Sequence, residues 1–212
     1  MKYNPIMWKM MTGRMKKGIK EILPDVDADS LIRSAKPIYQ DLLSKIDGIS
    51  EKNPMAMNIT TSFIIIAIWL ASDRRITVDQ MYQVMEITMD WGVMKKMYGG
   101  YDLNTEKGVA KVSAKMRKSA QYNDMHPEET NTFIVGFDED LHRDGFYYYF
   151  TQCPIANFCK ENGYEEINPV LCRIDYLTAK LMHGKLHRQT TIADGGEICD
   201  YWVTGDKAVD PQ

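Results

Sequence analysis

Between Tyr147 and Val203 the chain is divided into short elements by helix stops and turn signals, and this stretch restricts the fold more than any other. Tyr147-Tyr148-Tyr149-Phe150-Thr151 is aromatic and extended, as a strand would be. Cys153-Pro154 ends it, and Pro154 suits the first turn of a helix. The spacing predicts a short helix over 155–161, stopped by Asn162-Gly163. A second helix is predicted over 170–183, with Asn168 as N-cap and Gly184 as stop. Residues 185–192 become β-branched toward their end. Asp194-Gly195-Gly196-Glu197 carries a hairpin signal, and 198–204 reads as the returning strand.

These elements place the polar side chains. Cys172, Asp175 and Tyr176 stand three and four residues apart on the second helix, so they share a face. On the incoming strand Leu186, Arg188 and Thr190 point one way, and His187, Gln189 and Thr191 the other. On the returning strand Cys199 and Tyr201 alternate with Asp200 and Trp202. A turn near Gly195-Gly196 brings Thr190 or Thr191 beside Cys199 or Asp200. Thiols, carboxylates, an arginine and hydroxyls thus gather in one small unit.

Here the sequence resembles the L-2-amino-thiazoline-4-carboxylic acid hydrolases. The matching residues are Cys153-Pro154-Ile155, Gly163, Cys172 with Asp175, Leu186 with Arg188 and Thr191, Gly195-Gly196, and Cys199-Asp200-Tyr201. The likeness covers about the last third of the chain. The family's aromatic after Cys-Asp is Phe, and here it is Tyr201, which adds a hydroxyl. The resemblance implies hydrolytic opening of a thiazoline ring to N-carbamoyl-cysteine. The same unit, ending in a Gly-Gly hairpin and Cys-Asp-aromatic, is also similar to vinyl-reductase-type ligand-binding domains, which implies a small-molecule binder without catalysis.

The preceding part of the chain reads as helical. Met7, Met10, Met11, Ile19 and Ile22 fit an amphipathic helix that stops at Pro24. Asp27 or Asp29 caps a second helix over 31–46, with Pro37 inside it. The run Phe63 to Leu70 is the most apolar segment. It is too short for a bilayer, which needs ~20 residues. It reads as a helix buried on most sides, with a strand as the alternative. Thr77 and Gln80 form a capping box for the next helix, whose apolar face is Met81, Val84, Met85 and Trp91. Gly99-Gly100 is a break, and 104–120 is a basic amphipathic helix with a solvated face. The polar stretch 122–130 is the expected junction. The fold class expected is α+β: a helical part, 1–124, packed on an α/β unit, 125–212, or both as one continuous domain. The sheet has about four antiparallel strands, near 132–138, 146–152, 185–192 and 198–204. The charged connection 138–145 joins the first two.

Several function classes lack support. The net charge of -3 gives no reason to expect nucleic acid or an anionic membrane as partner. Dinucleotide, P-loop, elbow-serine and zincin patterns do not occur. Residues 1–15 have no continuous apolar core, so they do not read as a signal peptide. Four cysteines without a secretory signal imply free thiols and a cytoplasmic setting. Their spacing is not that of a zinc finger, so no cofactor is expected. The competing reading is a zinc site on Cys153, Cys172 and Cys199. The expected partner is a small-molecule substrate, with self-association left open.

For the implied chemistry, Asp175 or Asp200 is expected as general base or as partner of an amidinium-like group. Arg188 is expected to clamp a substrate carboxylate and Thr191 to donate a hydrogen bond. Cys172 and Cys199 line the pocket or act covalently, and Cys153 lies against the substrate. Competing structural readings exist for each: a salt bridge between Asp175 and Arg188, and Asp200 accepting backbone N–H groups. The helical part is expected to close the pocket from the other side.

Overall fold

The computed structural model describes residues 1–142 and 144–209; Arg143, in the charged 138–145 connection, and residues 210–212 lie outside the described residues. Six helices come first: α1 (Pro5–Ile22), α2 (Ala28–Lys45), α3 (Ala56–Ala71), α4 (Val78–Met89), α5 (Gly92–Gly99) and α6 (Glu106–Met125). Then follow β1 (Ile134–Gly136), β2 (Phe146–Gln152), α7 (Pro154–Asn162), α8 (Asn168–Leu181), β3 (Gly184–His187) and β4 (Cys199–Gly205). The fold is α+β, with helices in the N-terminal part and an antiparallel sheet in the C-terminal part.

Caps explain most helix starts. The Asn4 side chain accepts from the backbone N–H of Ile6 and Met7, and Asp27 does the same for Asp29 and Ser30. Thr77 and Gln80 bond reciprocally, the expected capping box. Helix α3 has no side-chain cap, and Phe63 to Ile68 are almost wholly buried. Burial stabilises it instead, at about 1.5–3 kcal/mol for each large apolar side chain.

The sheet order is β1-β2-β4-β3, all antiparallel. Tyr148 pairs with Tyr201, Phe150 with Cys199 and Leu186 with Val203, which puts these six on one face. That face meets the helices. One buried cluster runs from Trp8 in α1 through α3 to Cys199 in β4, and Phe63 meets Phe158 at 4.5 Å. A smaller cluster joins α6 to β3 and β4 through Val112, Leu186 and Val203.

Several expected boundaries move, for identifiable reasons. The strand expected over 185–192 ends at His187. Beyond it, the Asp200 carboxylate accepts the backbone N–H of Gln189 (3.1 and 2.9 Å) and of Thr190 (2.7 Å). A side chain has replaced the ladder partner, so the chain leaves the sheet. Arg188 and Thr191 therefore sit on a long β3–β4 loop, not on a strand, and Thr191 caps a 3₁₀ turn at Ile192–Asp194. Asn168 is the first residue of α8, not its cap, because a 3₁₀ turn at Glu165–Ile167 runs straight into the helix. Helix α8 ends at Leu181, and His183 takes a left-handed φ of 53°. Trp91 lies outside α4 and caps α5. Helix α6 runs on to Met125, into the expected junction.

Candidate active site

The polar centre of the C-terminal half forms where α8 crosses the sheet. Arg188, just past β3, points inward with its side chain 4% exposed. Its Nη2 donates to Asp175 Oδ2 at 2.9 Å, its Nη1 to the Cys172 carbonyl at 3.0 Å, and its Nε to the Asp200 carbonyl at 3.1 Å. A buried guanidinium is tolerated because these acceptors replace water. Burial disfavours its charge, but Asp175 and Tyr201 beside it raise its pKa above the ordinary value.

Asp175 sits one helical turn from Cys172 and receives a second donor on the same oxygen: Tyr201 Oη donates to Oδ2 at 2.7 Å. Oδ1 accepts no hydrogen bond among the described residues, and the Asp175 side chain is 34% exposed. The carboxylate is held on one side and open on the other. The Tyr201 ring lies 4.0 Å below the Arg188 guanidinium and stacks on Tyr148 at 4.8 Å. Burial, then the charge of Asp175, pushes the Tyr201 phenol well above its usual range, and the Tyr148 phenol shifts the same way. Both shifts favour the neutral phenol, and Tyr201 is the donor to Asp175. Tyr98 on α5 is also shifted up, by burial and then by Asp175.

Three thiols surround this centre. Cys153 caps α7, its Sγ accepting from Ala156 N at 3.5 Å. Cys199 Sγ accepts from Ile192 N at 3.2 Å. Burial raises all three thiols, Cys153 to about 11, Cys172 to about 12, and Cys199 in the same direction. Arg188 lowers Cys172 and Cys199, but desolvation outweighs it. The thiols are neutral at neutral pH, so no thiolate stands ready. The four cysteines are free, Cys159 included, and among the described residues no group of three His, Cys, Asp or Glu is placed to hold a metal ion.

Two of the expected residues are engaged elsewhere. Asp200 alternates with Cys199 and Tyr201 along β4, so its carboxylate projects from the opposite face and holds the β3–β4 loop. The Thr191 hydroxyl donates to Asp194 Oδ2 at 2.7 Å. The chain therefore brings together Asp175, Arg188 and the Cys153, Cys172 and Cys199 thiols, and leaves Asp200 and Thr191 in the loop that supports them. Tyr148, Tyr201 and Tyr98 join the centre without having been singled out as site residues. The aromatic run at β2 and the hydroxyl at Tyr201 were the available signals. From the helical half, α4 packs on α8, where Arg173 bonds Asp79, and α5 also meets α8.

Fold and centre together define an α+β protein whose polar site lies between one helix and the helix-facing side of a four-stranded antiparallel sheet. The sequence profile described as L-2-amino-thiazoline-4-carboxylic acid hydrolase matches residues 57–203, and the chain belongs to that family. The match begins in α3, so the likeness takes in helices whose sequences carry no recognisable motif. No curated protein and no solved structure matches the chain. No helix among the described residues is long and apolar enough to cross a membrane.

Proposed function

We propose that this protein is a hydrolase that opens L-2-amino-thiazoline-4-carboxylate to N-carbamoyl-L-cysteine, or acts on a related small ring with the same carbon between sulfur and nitrogen. Family membership supports the reading, and one observation carries it: Asp175 has Oδ2 fixed by two donors and Oδ1 open.

The chemistry follows from that carboxylate. Water adds to the carbon between sulfur and the two nitrogens, forming a C–O bond. Asp175 Oδ1 accepts the water's proton, or pairs with the protonated amidine and makes the carbon more electrophilic. The tetrahedral intermediate collapses by breaking the C–S bond, the proton passes to the departing sulfur, and a urea remains. Arg188 and Tyr201 fix the direction of Oδ1, which is worth more than added basicity when the reacting atoms must meet within about 3 Å. Arg188 uses three of its five N–H groups within the protein. The other two are the donors a substrate carboxylate would meet. Neutral Cys172, Cys199 and Cys153 form a soft wall for the ring sulfur; covalent attack by any of them requires deprotonation against burial.

An enzyme is favoured over a ligand-binding domain by a polar site that holds Asp175, Arg188 and Asp200 together; Asp175 and Arg188 meet that condition, and the Asp200 carboxylate lies on the opposite face. The experiment is turnover of L-2-amino-thiazoline-4-carboxylate by purified protein, followed by appearance of a free thiol, with and without chelator. Thiol release unaffected by chelator supports the reading. Saturable binding without thiol release supports the ligand-binding reading instead.

A further inference from the structure

Asp175 Oδ2 accepts from two donors, Arg188 Nη2 at 2.9 Å and Tyr201 Oη at 2.7 Å. An ionised carboxylate offers about two lone-pair positions on each oxygen, so Oδ2 is full. Oδ1 accepts nothing among the described residues. One oxygen is spent inside the protein, and one is left for a substrate.

That asymmetry limits the rings the site can hold. A protonated amino-thiazoline is a cyclic amidinium, with one N–H on the ring and a parallel one on the amino group. Such a pair fits both oxygens of a free carboxylate, as a guanidinium does. Here the fork finds Oδ2 occupied, and a single N–H meets the carboxylate. A ring with an alkyl group in place of the amino group carries a single N–H when protonated, and loses nothing by the restriction. Of the two donors on Oδ2, Arg188 is tied in three directions, and removing it takes out a charge. The Tyr201 hydroxyl is separable from its ring. The ring is held by packing: it stacks on Tyr148 at 4.8 Å, stands edge-on to Phe150 at 5.2 Å and lies 4.0 Å from the Arg188 guanidinium.

We propose that the Tyr201 hydroxyl sets the substrate class of this site: it restricts Asp175 to one N–H, so thiazoline carboxylates with an alkyl group in place of the amino group are opened as well as the amino compound. The inference rests on the hydrolase reading and extends its range of rings. Water forms a C–O bond at the carbon between sulfur and nitrogen, and the C–S bond breaks. One proton of the water ends on the nitrogen and the other on the sulfur, which leaves an N-acyl-L-cysteine.

The test compares wild type with Tyr201→Phe on L-2-amino-thiazoline-4-carboxylate and on its analogue with methyl in place of the amino group, by thiol release. Wild type is expected to open both. Tyr201→Phe frees a position on Oδ2, so the ratio of kcat/KM values, amino over methyl, should rise at least about fivefold. A purely structural role for the hydroxyl would lower both substrates alike and leave the ratio unchanged, which overturns the proposal. Wild type that opens the amino ring and not the methyl ring overturns it too. If wild type opens neither ring, the hydrolase reading fails. The restriction by Tyr201 is then decided by calorimetric Kd values for the pyrroline carboxylates bearing an amino or a methyl group at the same carbon, which lack the sulfur. The preference for the amino compound should again rise at least about fivefold in Tyr201→Phe, and an unchanged preference overturns the restriction.

Discussion

Arg188 Nη2 and Asp175 Oδ2 lie 2.9 Å apart, with the arginine side chain 4% exposed and the aspartate 34% exposed. The asymmetry matters. A nearly buried cation is satisfied by a carboxylate that still reaches solvent, so the pair serves both as an internal tie between α8 and the β3–β4 loop and as an open acidic surface. Losing the cation removes three hydrogen bonds at once, those to the Asp175 carboxylate and to the Cys172 and Asp200 carbonyls.

Arg188→Met is therefore expected to destabilise the fold by about 3 kcal/mol. Urea unfolding with an unchanged slope and a lower midpoint would show it. A loss below about 1 kcal/mol would mean that water replaces the three acceptors' partner without difficulty.

Asp200→Asn tests the loop. The carboxylate accepts three backbone N–H contacts from Gln189 and Thr190. An amide presents one oxygen and one N–H₂, and the latter faces a donor. A loss of about 1–2 kcal/mol is expected, with faster amide exchange at Gln189 and Thr190. Unchanged protection of those two amides contradicts the assignment.

Alkaline pH should weaken the fold. Burial raises Cys153 to about 11 and Cys172 to about 12, from an unfolded value of 9.0. Above pH 9.0 the unfolded chain loses these protons while the native chain keeps them. The unfolded state then binds fewer protons, so stability falls with rising pH. Stability is fully present below pH 9.0 and is lost progressively toward pH 11 to 12. Denaturant midpoints measured across neutral and alkaline pH check this. A midpoint that rises above pH 9 reverses the sign and contradicts it. The same burial predicts slow alkylation of both thiols at neutral pH.

Much of this was legible in the sequence, and the misses have local causes. Thr77-x-x-Gln80 is a self-contained capping unit, so α4 starts where the residues say. Cys172 and Asp175 share a helix face by spacing alone, and the alternation along Cys199-Asp200-Tyr201 already assigns Tyr201 to the helix side. What the alternation could not give was the end of β3. Residues 185–192 have strand composition, but the Asp200 carboxylate accepts the N–H groups of Gln189 and Thr190, and the ladder stops before them. That is a long-range side-chain contact, invisible to propensity. The Tyr201–Asp175 bond depends on the crossing of α8 over β4, and the start of α5 depends on a break at Asp90-Trp91 that no proline or glycine before it announces.

The open oxygen of Asp175 is proposed to act on the substrate. Turnover of L-2-amino-thiazoline-4-carboxylate by Asp175→Asn, beside wild type and with folding verified by urea midpoint, tests it most directly. Asparagine keeps the size and one acceptor oxygen but cannot take a proton or pair with an amidinium as an anion. A fall in kcat of about 10²–10⁴-fold is expected, with N-carbamoyl-L-cysteine as the wild-type product. Wild-type turnover by the folded Asp175→Asn protein would contradict it.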